Sequence, residues 1–326
     1  MIITRTPFRV SLAGGGSDLR EFYSKNGFGA VVSAAIDKYM YIVIHPYFHD
    51  KIRLKYSKTE DVHSIEEIEH PIMREALRKV EIEKGIEIAS FADIPAGTGL
   101  GSSSAFTVGL LNALYTYKGK VVSKAELAQR ACEIEIEILG QPIGKQDQYA
   151  AAFGNINHIR FNKDESVNVT PIILTQSVLN NLEKRLSLYH VGGRRRAKDI
   201  LSEQRRTIVE DDKFHIAQGM VKMTDELLDA LNRGEIDVTG RILHEGWLSK
   251  KKLAGGISTD HVDELYEQFL SYNAKGGKLL GAGGTGFLLI FSEDHGYLQK
   301  YMGLKALPFH IDREGTKVIF YDPAVV

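Results

Sequence analysis

The chain has 326 residues, which at about 150 residues per domain suggests two domains, and its 43% of hydrophobic residues excludes a disordered chain. Lys and Arg total 41 against 42 Asp and Glu, so the net charge of −1 provides no global field that would recruit nucleic acid or an anionic membrane. The single cysteine, Cys132, excludes an internal disulfide. No apolar run reaches the roughly 18 residues of a membrane span, and the start MIITRTPFRV lacks a signal-peptide pattern. We therefore expect a cytoplasmic protein.

The first part of the chain mixes strand and helix patterns. In chain order they are a strand over 2–13, a short helix capped by Ser17 and ending near Gly27, the strand-like runs GAVVSAAI, YMYIVIHP and RLKYS, a helix from Pro71 to about Lys84, and a strand ending near Ile94. The loop PAGTGLGSSS then precedes an apolar helix predicted over 105–117.

The segment SKAELAQRACEIEIEILG carries both a helical and an alternating pattern. Ser123 followed by Glu126 is a capping box, and Gly140 suits the position after a helix end, so we predict a helix. On this helix Glu135 points along an apolar stripe, which makes it either a buried Mg²⁺ ligand or a paired, partly buried glutamate.

The second half begins at a soft boundary near residue 180, with no linker composition to mark it. It predicts a strand at LSLYHV, several helices between about 197 and 274, the strands GGKLL and FLLIF around a glycine loop, a helix, and two closing strands. Helices beside antiparallel strands indicate an α+β fold, with a split βαβ of ferredoxin-like character in this half.

Glycines are abundant, 31 in all, and ten of them form three clusters at 14–16, 97–101 and 281–286. The loop PAGTGLGSSSA lies between a predicted strand and helix, so its amides and the helix dipole converge as a triphosphate site would require. Ser102, Ser103 and Ser104 add hydroxyls for phosphate oxygens or Mg²⁺. No lysine precedes the serines, so the loop is not a P-loop, and a glycine-rich turn with an ordinary cap is the alternative.

The other two clusters are weaker signals. GAGGTG at 281–286 formally satisfies G-x-G-x-x-G, but the strand pattern FLLIF follows where a dinucleotide fingerprint needs a helix. We interpret it as a loop whose amides, at Gly283 and Gly284, approach a substrate, with a glycine-rich hairpin as the alternative. In AGGGSD, Asp18 could accept hydrogen bonds from a polyol or only favour the first turn of a helix.

Charged residues near these loops suggest phosphoryl transfer. Asp147 could orient or deprotonate an attacking hydroxyl, with Arg9 or Lys145 offsetting charge, or it could be an ordinary turn residue. The run GGRRRAKD at 192–199 could bind a second phosphate through its guanidinium groups, or it could be a solvated face.

Together these motifs resemble the GHMP small-molecule kinase superfamily over essentially the whole chain. TPFRVSLAGGGSDL, PAGTGLGSSSA and KLLGAGGTGF resemble its three motifs, while EIEIEILGQPIGKQDQYAAAFG and GRRRAKDIL are similar to its heptose 7-phosphate kinases. GGGSD replaces the GEHTD pattern of galactokinases, and the first-motif lysine of mevalonate kinases is missing. The resemblance implies an N-terminal ATP-binding domain like ribosomal S5 domain 2 over 1–180, and a ferredoxin-like C-terminal domain over 181–326.

The resemblance also assigns site residues. Asp147 matches the catalytic aspartate and Arg9 the arginine that accompanies it. Matches to the ATP loop are Pro95, Gly97, Gly99, Leu100, Gly101, Ser102, Ser103 and Ser104. Expected acceptor contacts are Asp18, Gly15, Gly16, Arg195, Gly283 and Gly284, with Arg195 on the acceptor's phosphate. Ser103 and Glu135 match the Mg²⁺ ligands.

The implied reaction transfers the γ-phosphoryl group of ATP, with Mg²⁺, to the anomeric C1 hydroxyl of a heptose 7-phosphate, giving a 1,7-bisphosphate for nucleotide-activated heptose. The expected partners are ATP and a small sugar phosphate, without nucleic acid or membrane, and a homodimer is left open. Three alternatives stand beside it: a GHMP kinase for another sugar such as fucose, a nicotinamide oxidoreductase using GAGGTG, and a non-catalytic nucleotide-binding regulator.

Overall fold

The computed structural model describes residues 1–192 and 197–322. Its strands are β1 (Ile2–Ala13), β2 (Phe28–Pro46), β3 (Ile52–Lys55), β4 (Thr59–Val62), β5 (Ile86–Ala92), β6 (Ile156–Asn162), β7 (Val167–Pro171), β8 (Leu186–His190), β9 (Gly276–Leu279), β10 (Phe287–Phe291), β11 (Ala306–Leu307) and β12 (Lys317–Tyr321). Its α-helices are α1 (Arg20–Asn26), α2 (Pro71–Val80), α3 (Ser102–Tyr117), α4 (Lys124–Cys132), α5 (Gln146–Phe153), α6 (Gln176–Arg185), α7 (Ala197–Thr207), α8 (Asp211–Asn232), α9 (Val238–Lys250), α10 (Asp260–Ser271) and α11 (His295–Met302). A 3₁₀ turn at Ile65–Glu67 and a π-helix at Glu133–Ile138 complete the set.

The first sheet has the order β12-β1-β2-β5-β3-β4, with β6 and β7 attached through β2. The two runs GAVVSAAI and YMYIVIHP form one 19-residue strand, because β2 pairs with β6 through residues 28–34 and with β5 through residues 40–46. The buried helix α3 packs on β1 and β2, with α2 and α5 beside it. Since α3 crosses the sheet with its N-terminus at the loop after β5, that loop lies at the edge of the first core.

The second sheet confirms the α+β prediction. Its order, β11-β8-β10-β9, is antiparallel throughout, and α7 to α10 connect β8 to β9 while α11 connects β10 to β11. This is the split βαβ arrangement expected for the second half. The final strand β12 returns to pair with β1 in the first sheet, and the division near residue 180 stays a prediction.

Local signals were confirmed in part. Ser123 accepts the Glu126 N–H at 3.2 Å as a cap, and Gly140 follows the π-helix with a φ of +61°, as predicted. The predicted cap at Ser17 is wrong, because its hydroxyl exchanges hydrogen bonds with the backbone of Ala30 and α1 begins only at Arg20. To cap the first turn of a helix, the Ser17 hydroxyl would have to give up its buried hydrogen bonds with Ala30.

Three helices depart from the prediction, and the first of them, α3, begins at Ser102 instead of residue 105. The helix α2 starts at Pro71 as expected but stops at Val80, where Glu81 takes a left-handed conformation. The segment 123–140 is helical, but its second part is a π-helix. None of the described helices is long and apolar enough to cross a lipid bilayer.

Candidate active site

A cavity of about 250 Å³ lies where the two sheets meet, and we call it the central cavity. Its walls come from the end of β1 and the following turn, from the loop 97–103, and from the segment 143–147 that opens α5. The second sheet and its helices contribute α7, α9, β9 and residues 281–282. Segments far apart in the sequence therefore surround a single space.

Arg9 and Asp147 form an ion pair in the central cavity. Arg9 Nε and Nη2 donate to the two oxygens of Asp147, each at 2.6 Å, and Nη1 donates to the Gly99 carbonyl at 2.6 Å. The fork–fork geometry fixes the carboxylate plane as well as its position. Arg9 is 7% exposed and Asp147 26%, so the carboxylate keeps access to the cavity.

Asp18 is buried beside this pair and is held by backbone amides. Its Oδ1 accepts the Gly16 N–H at 3.0 Å, and its Oδ2 accepts the Gln146 N–H at the start of α5 at 3.2 Å. A Cβ at Gly144 would lie 2.0 Å from Oδ2, so only glycine fits there. Burial and the charge of Asp147 raise the pKa of Asp18, while the amide bonds oppose the rise.

The loop before α3 has the backbone form that an anion site needs. Gly97, Gly99 and Gly101 have φ values of +82°, +85° and +73°, and α3 begins at Ser102 without a side-chain cap. The first amides of a helix have no partner within it, and the 16-residue α3 adds its dipole at the same end. Phosphate oxygens would satisfy these amides.

Glu135 lies behind the loop, in the π-helix, and is 1% exposed. Ser103 Oγ donates to Glu135 Oε1 at 2.8 Å, and Gln148 Nε2 donates to Oε2 at 2.8 Å. Burial raises the pKa of Glu135, and the bonds from Ser103 and Gln148 oppose this rise.

The side-chain oxygens around Glu135 are of the kind that Mg²⁺ accepts as ligands. Gln148 Oε1 is buried without a hydrogen-bond partner among the described residues, so an oxygen next to Glu135 lacks a cation or a donor. Mg²⁺ accepts oxygen ligands and usually takes one or two carboxylates, with substrate phosphates completing its shell. The part of the chain that the structure describes contains no group of three or more His, Cys, Asp or Glu that could hold a metal ion.

Most residues expected at the site from the sequence surround the central cavity. Its lining includes Arg9, Gly15, Gly16, Asp18, Gly97, Gly99, Gly101, Ser102, Ser103 and Asp147. Others do not reach it through side chains: Leu100 and Ser104 are buried, and Pro95 is exposed. Arg195 lies outside the described residues.

The third glycine cluster packs against protein backbone. A Cβ at Gly281 would lie 2.5 Å from Gly99 Cα, and one at Gly286 would lie 2.5 Å from the Thr98 carbonyl. Gly284 donates its N–H to Ile257 O at 2.9 Å, and a Cβ at Gly283 would meet the same carbonyl at 2.5 Å. Gly283 and Gly284 are thus not brought to the cavity, and close contact between loops accounts for these glycines.

Sequence reasoning missed five polar residues of the cavity wall, which are Ser11, Gln146, Gln204, Lys250 and Lys278. Lys250 and Lys278 are 7% and 3% exposed. Lys278 did carry a signal, because it is a lysine inside the apolar strand run GGKLL and the first residue of KLLGAGGTGF, the segment that resembles the third family motif. Lys250 sits at the end of an ordinary helix pattern, where a lysine is expected for other reasons.

Family comparisons agree with this geometry. The model described as "GHMP kinases N terminal domain" matches residues 68–155, and "GHMP kinases C terminal" matches residues 227–300. A D-glycero-alpha-D-manno-heptose 7-phosphate kinase from Campylobacter jejuni is 30% identical over 97% of this chain and 98% of its own length. The bifunctional fucokinase/GDP-fucose pyrophosphorylase of Arabidopsis thaliana is 29% identical over 64% of this chain and 20% of its own length.

Solved structures show the same fold. A D-glycero-D-manno-heptose 1-phosphate kinase from Bacteroides thetaiotaomicron superposes with a TM-score of 0.80 at 25% identity, covering 99% of this chain and 100% of its own. A mevalonate kinase structure gives a TM-score of 0.72 at 21% identity over 96% and 100% of the two chains. With both domain models matched and a relative aligned nearly end to end, this chain belongs to the GHMP kinase family.

Proposed function

We propose that the protein is a sugar kinase that transfers the γ-phosphoryl group of ATP to the anomeric C1 hydroxyl of D-glycero-D-manno-heptose 7-phosphate. The observation that carries this proposal is the Arg9–Asp147 pair, whose carboxylate faces the same cavity as the uncapped start of α3. A phosphate cradle and an oriented carboxylate that line one cavity are the parts that phosphoryl transfer requires.

In this reaction the backbone amides at residues 97–104 hold the triphosphate. Asp147 accepts the hydrogen bond of the C1 hydroxyl, and Arg9 keeps the carboxylate in one orientation. The C1 oxygen forms a bond to the γ-phosphorus as the bond to the β-phosphate oxygen breaks, the hydroxyl proton passes by way of Asp147 to solvent, and ADP leaves. An anomeric hydroxyl is more acidic than a simple alcohol, so positioning and charge neutralisation provide most of the catalysis.

Glu135 and Ser103 would hold Mg²⁺, and the short distance between their oxygens is consistent with a shared cation. Mg²⁺ held there would supply positive charge against the negative charge that develops during phosphoryl transfer. Glu135 must be ionised for this role, and its hydrogen bonds from Ser103 and Gln148 favour the ionised form against the cost of burial.

The acceptor is placed by the turn after β1. Asp18, Gly15 and Gly16 line the cavity next to Asp147, in reach of sugar hydroxyls, and Arg195 is retained as a proposed contact of the acceptor's phosphate. The names of the relatives point to phosphorylated heptoses but differ in the position of the phosphate, and a fucokinase is also similar. A kinase for another sugar such as fucose is therefore the second candidate.

A panel of sugars and sugar phosphates with Mg-ATP tests the proposal, with ADP release as the readout and NMR to locate the new phosphate. We expect the highest kcat/KM with D-glycero-D-manno-heptose 7-phosphate and a new phosphate on C1. Turnover of free fucose alone would favour the second candidate. If none of the sugars and sugar phosphates in the panel causes ADP release, both candidates are contradicted.

A further inference from the structure

A buried lysine of the central cavity has no partner. Lys278 lies on β9, is 3% exposed and lines the cavity, and its ammonium makes no hydrogen bond or ion pair with any described residue. Lys250 next to it is 7% exposed but is held, because it donates to the carbonyls of Leu279 and Gly281. One cation of this pair is thus fixed and the other is free to bind a ligand.

The nearby charges do not neutralise Lys278. The charged groups that face it are Lys250, Arg9 and Asp18. Arg9 is engaged by Asp147, and Asp18 already accepts two backbone N–H groups. Burial first, and then the charges of Lys250 and Arg9, lower the pKa of Lys278 well below its ordinary value.

An unpaired buried cation destabilises the empty protein. Such a cost is typical of a binding group whose partner arrives with the ligand. A dianionic phosphate monoester would provide that partner, because it supplies acceptor oxygens and cancels the excess positive charge.

We propose that Lys278, supported by Lys250, is the contact for the phosphate monoester of a phosphorylated acceptor; this inference rests on the proposed sugar kinase activity. Phosphate also occurs on the nucleotide, but the nucleotide has its own site in the loop 97–103 and the start of α3. Lys278 lies within electrostatic range of Arg9 and of Asp18, and Asp18 belongs to the part of the cavity that the proposed function assigns to the acceptor. The pair would therefore discriminate sugar phosphates from free sugars.

The test variant is Lys278→Met, which removes the side-chain charge and keeps most of the side-chain length. We expect KM for heptose 7-phosphate to rise at least about tenfold, as loss of a charge-assisted hydrogen bond predicts, with KM for ATP changed less than about twofold. KM for free heptose should stay unchanged. Lys278→Arg should retain part of the preference, and Lys275→Met, at an exposed lysine of the same segment, should behave as wild type.

Thermal unfolding without acceptor gives a second readout. Lys278→Met should unfold at a higher temperature than wild type, because folding no longer buries an unpaired ammonium or forces it to release its proton, while inorganic phosphate should stabilise wild type and not the variant. A rise in KM for ATP alone would assign the lysine to the nucleotide and overturn the proposal, and so would unchanged kinetics. If wild type phosphorylates no sugar phosphate, the proposed function fails, and the phosphate-dependent thermal shift still decides whether the anion site exists.

Discussion

Three carboxylates of the site lie in three different environments, and each environment suggests a different task. Asp147 is bound by a guanidinium and keeps access to the cavity, Asp18 is buried on backbone amides, and Glu135 is buried under a serine and a glutamine. The sequence predicted which acidic residues matter, but not these environments, because the partners come from segments more than a hundred residues away for Asp147 and Asp18.

Asp147→Asn should separate catalysis from nucleotide binding. The amide can accept one hydrogen bond from Arg9, but its NH₂ group would face the other guanidinium N–H, so the orientation of the side chain is lost. We expect kcat to fall by about 10² to 10⁴. The Kd for ATP, measured by calorimetry, should stay within about twofold because the nucleotide loop is untouched.

The matched control for that variant is Asp229→Asn, at an exposed aspartate of α8. It should leave both kcat and Kd unchanged. Near wild-type turnover by Asp147→Asn would remove Asp147 from the reaction.

Glu135→Gln should weaken Mg²⁺ binding and leave the fold intact. Gln148 can turn its amide so that its unpartnered Oε1 accepts from the new NH₂ group, while Ser103 still donates to the remaining oxygen. Because burial raises the folded pKa of Glu135, its charge costs stability at neutral pH, and removing the charge should not lower Tm. The Mg²⁺ concentration for half-maximal activity should rise at least about tenfold.

Two measurements check this variant: a Mg²⁺ titration of activity, and the Mg²⁺-dependent shift of Tm in the presence of ATP. Wild type should show the thermal shift and the variant should lose most of it. A variant whose Tm falls by several degrees without metal would instead give Glu135 a structural role.

At the scale of elements, the site depends on contact between two glycine loops. A Cβ at Gly99 would lie 2.5 Å from the Leu280 carbonyl, and a Cβ at Gly281 would lie 2.5 Å from Gly99 Cα. The glycines thus let the loop after β5 and the loop after β9 touch through their backbones. This contact ties the nucleotide loop to the second sheet.

Gly99→Ala and Gly97→Ala test that contact as a matched pair. Both glycines have similar positive φ values, +85° and +82°, so both alanines carry about 1 kcal/mol of backbone strain. Only the Gly99 variant adds a clash, since no atom lies within 4 Å of a Cβ at Gly97. We expect Gly99→Ala to lower the free energy of unfolding by about 2 kcal/mol more than Gly97→Ala, in urea titrations.

Equal losses from the two alanines would mean that the loops separate readily, and the contact would then not hold the nucleotide loop in place.

The sequence predicted that these clusters were special but assigned the 281–286 glycines to substrate. Glycine permits approach to any neighbour, and the sequence alone does not say whether the neighbour is a ligand or another loop.

The π-helix is a second feature that local patterns do not reveal. The run EIEIEI alternates like a strand, yet the capping box at Ser123 correctly predicted a helix. Whether that helix closes its turns with α or π hydrogen bonds depends on packing around Glu135 and Ile134, which are both buried. Such wider turns frequently occur at functional sites.

At the scale of the molecule, the two sheets enclose charges that neither would bury alone. The sequence predicted the two halves from their strand and helix patterns. It did not predict that β12 pairs with β1, because residues at opposite ends of the chain share no local signal. The buried lysines of the cavity were missed for the same reason, since burial on β9 and α9 follows only from the meeting of the sheets.

This burial predicts a rise of stability with pH. Burial, and then the charge of Arg9, lowers the pKa of Lys250 to about 8, while Asp18 and Asp147 oppose the shift and Lys278 faces the same group. Between about pH 8 and its ordinary pKa of 10.5, the folded protein has released a proton that the unfolded chain still holds. The unfolded state then binds more protons, so the free energy of unfolding should rise with pH across this window, by on the order of 1–3 kcal/mol.

Urea titrations at about pH 7 and about pH 10 should show this gain in wild type and in Lys305→Met, at an exposed lysine, but a smaller gain in Lys250→Met. The same gain in all three proteins would show that Lys250 keeps its proton in the folded protein, and that water reaches this side chain more readily than its 7% exposure indicates.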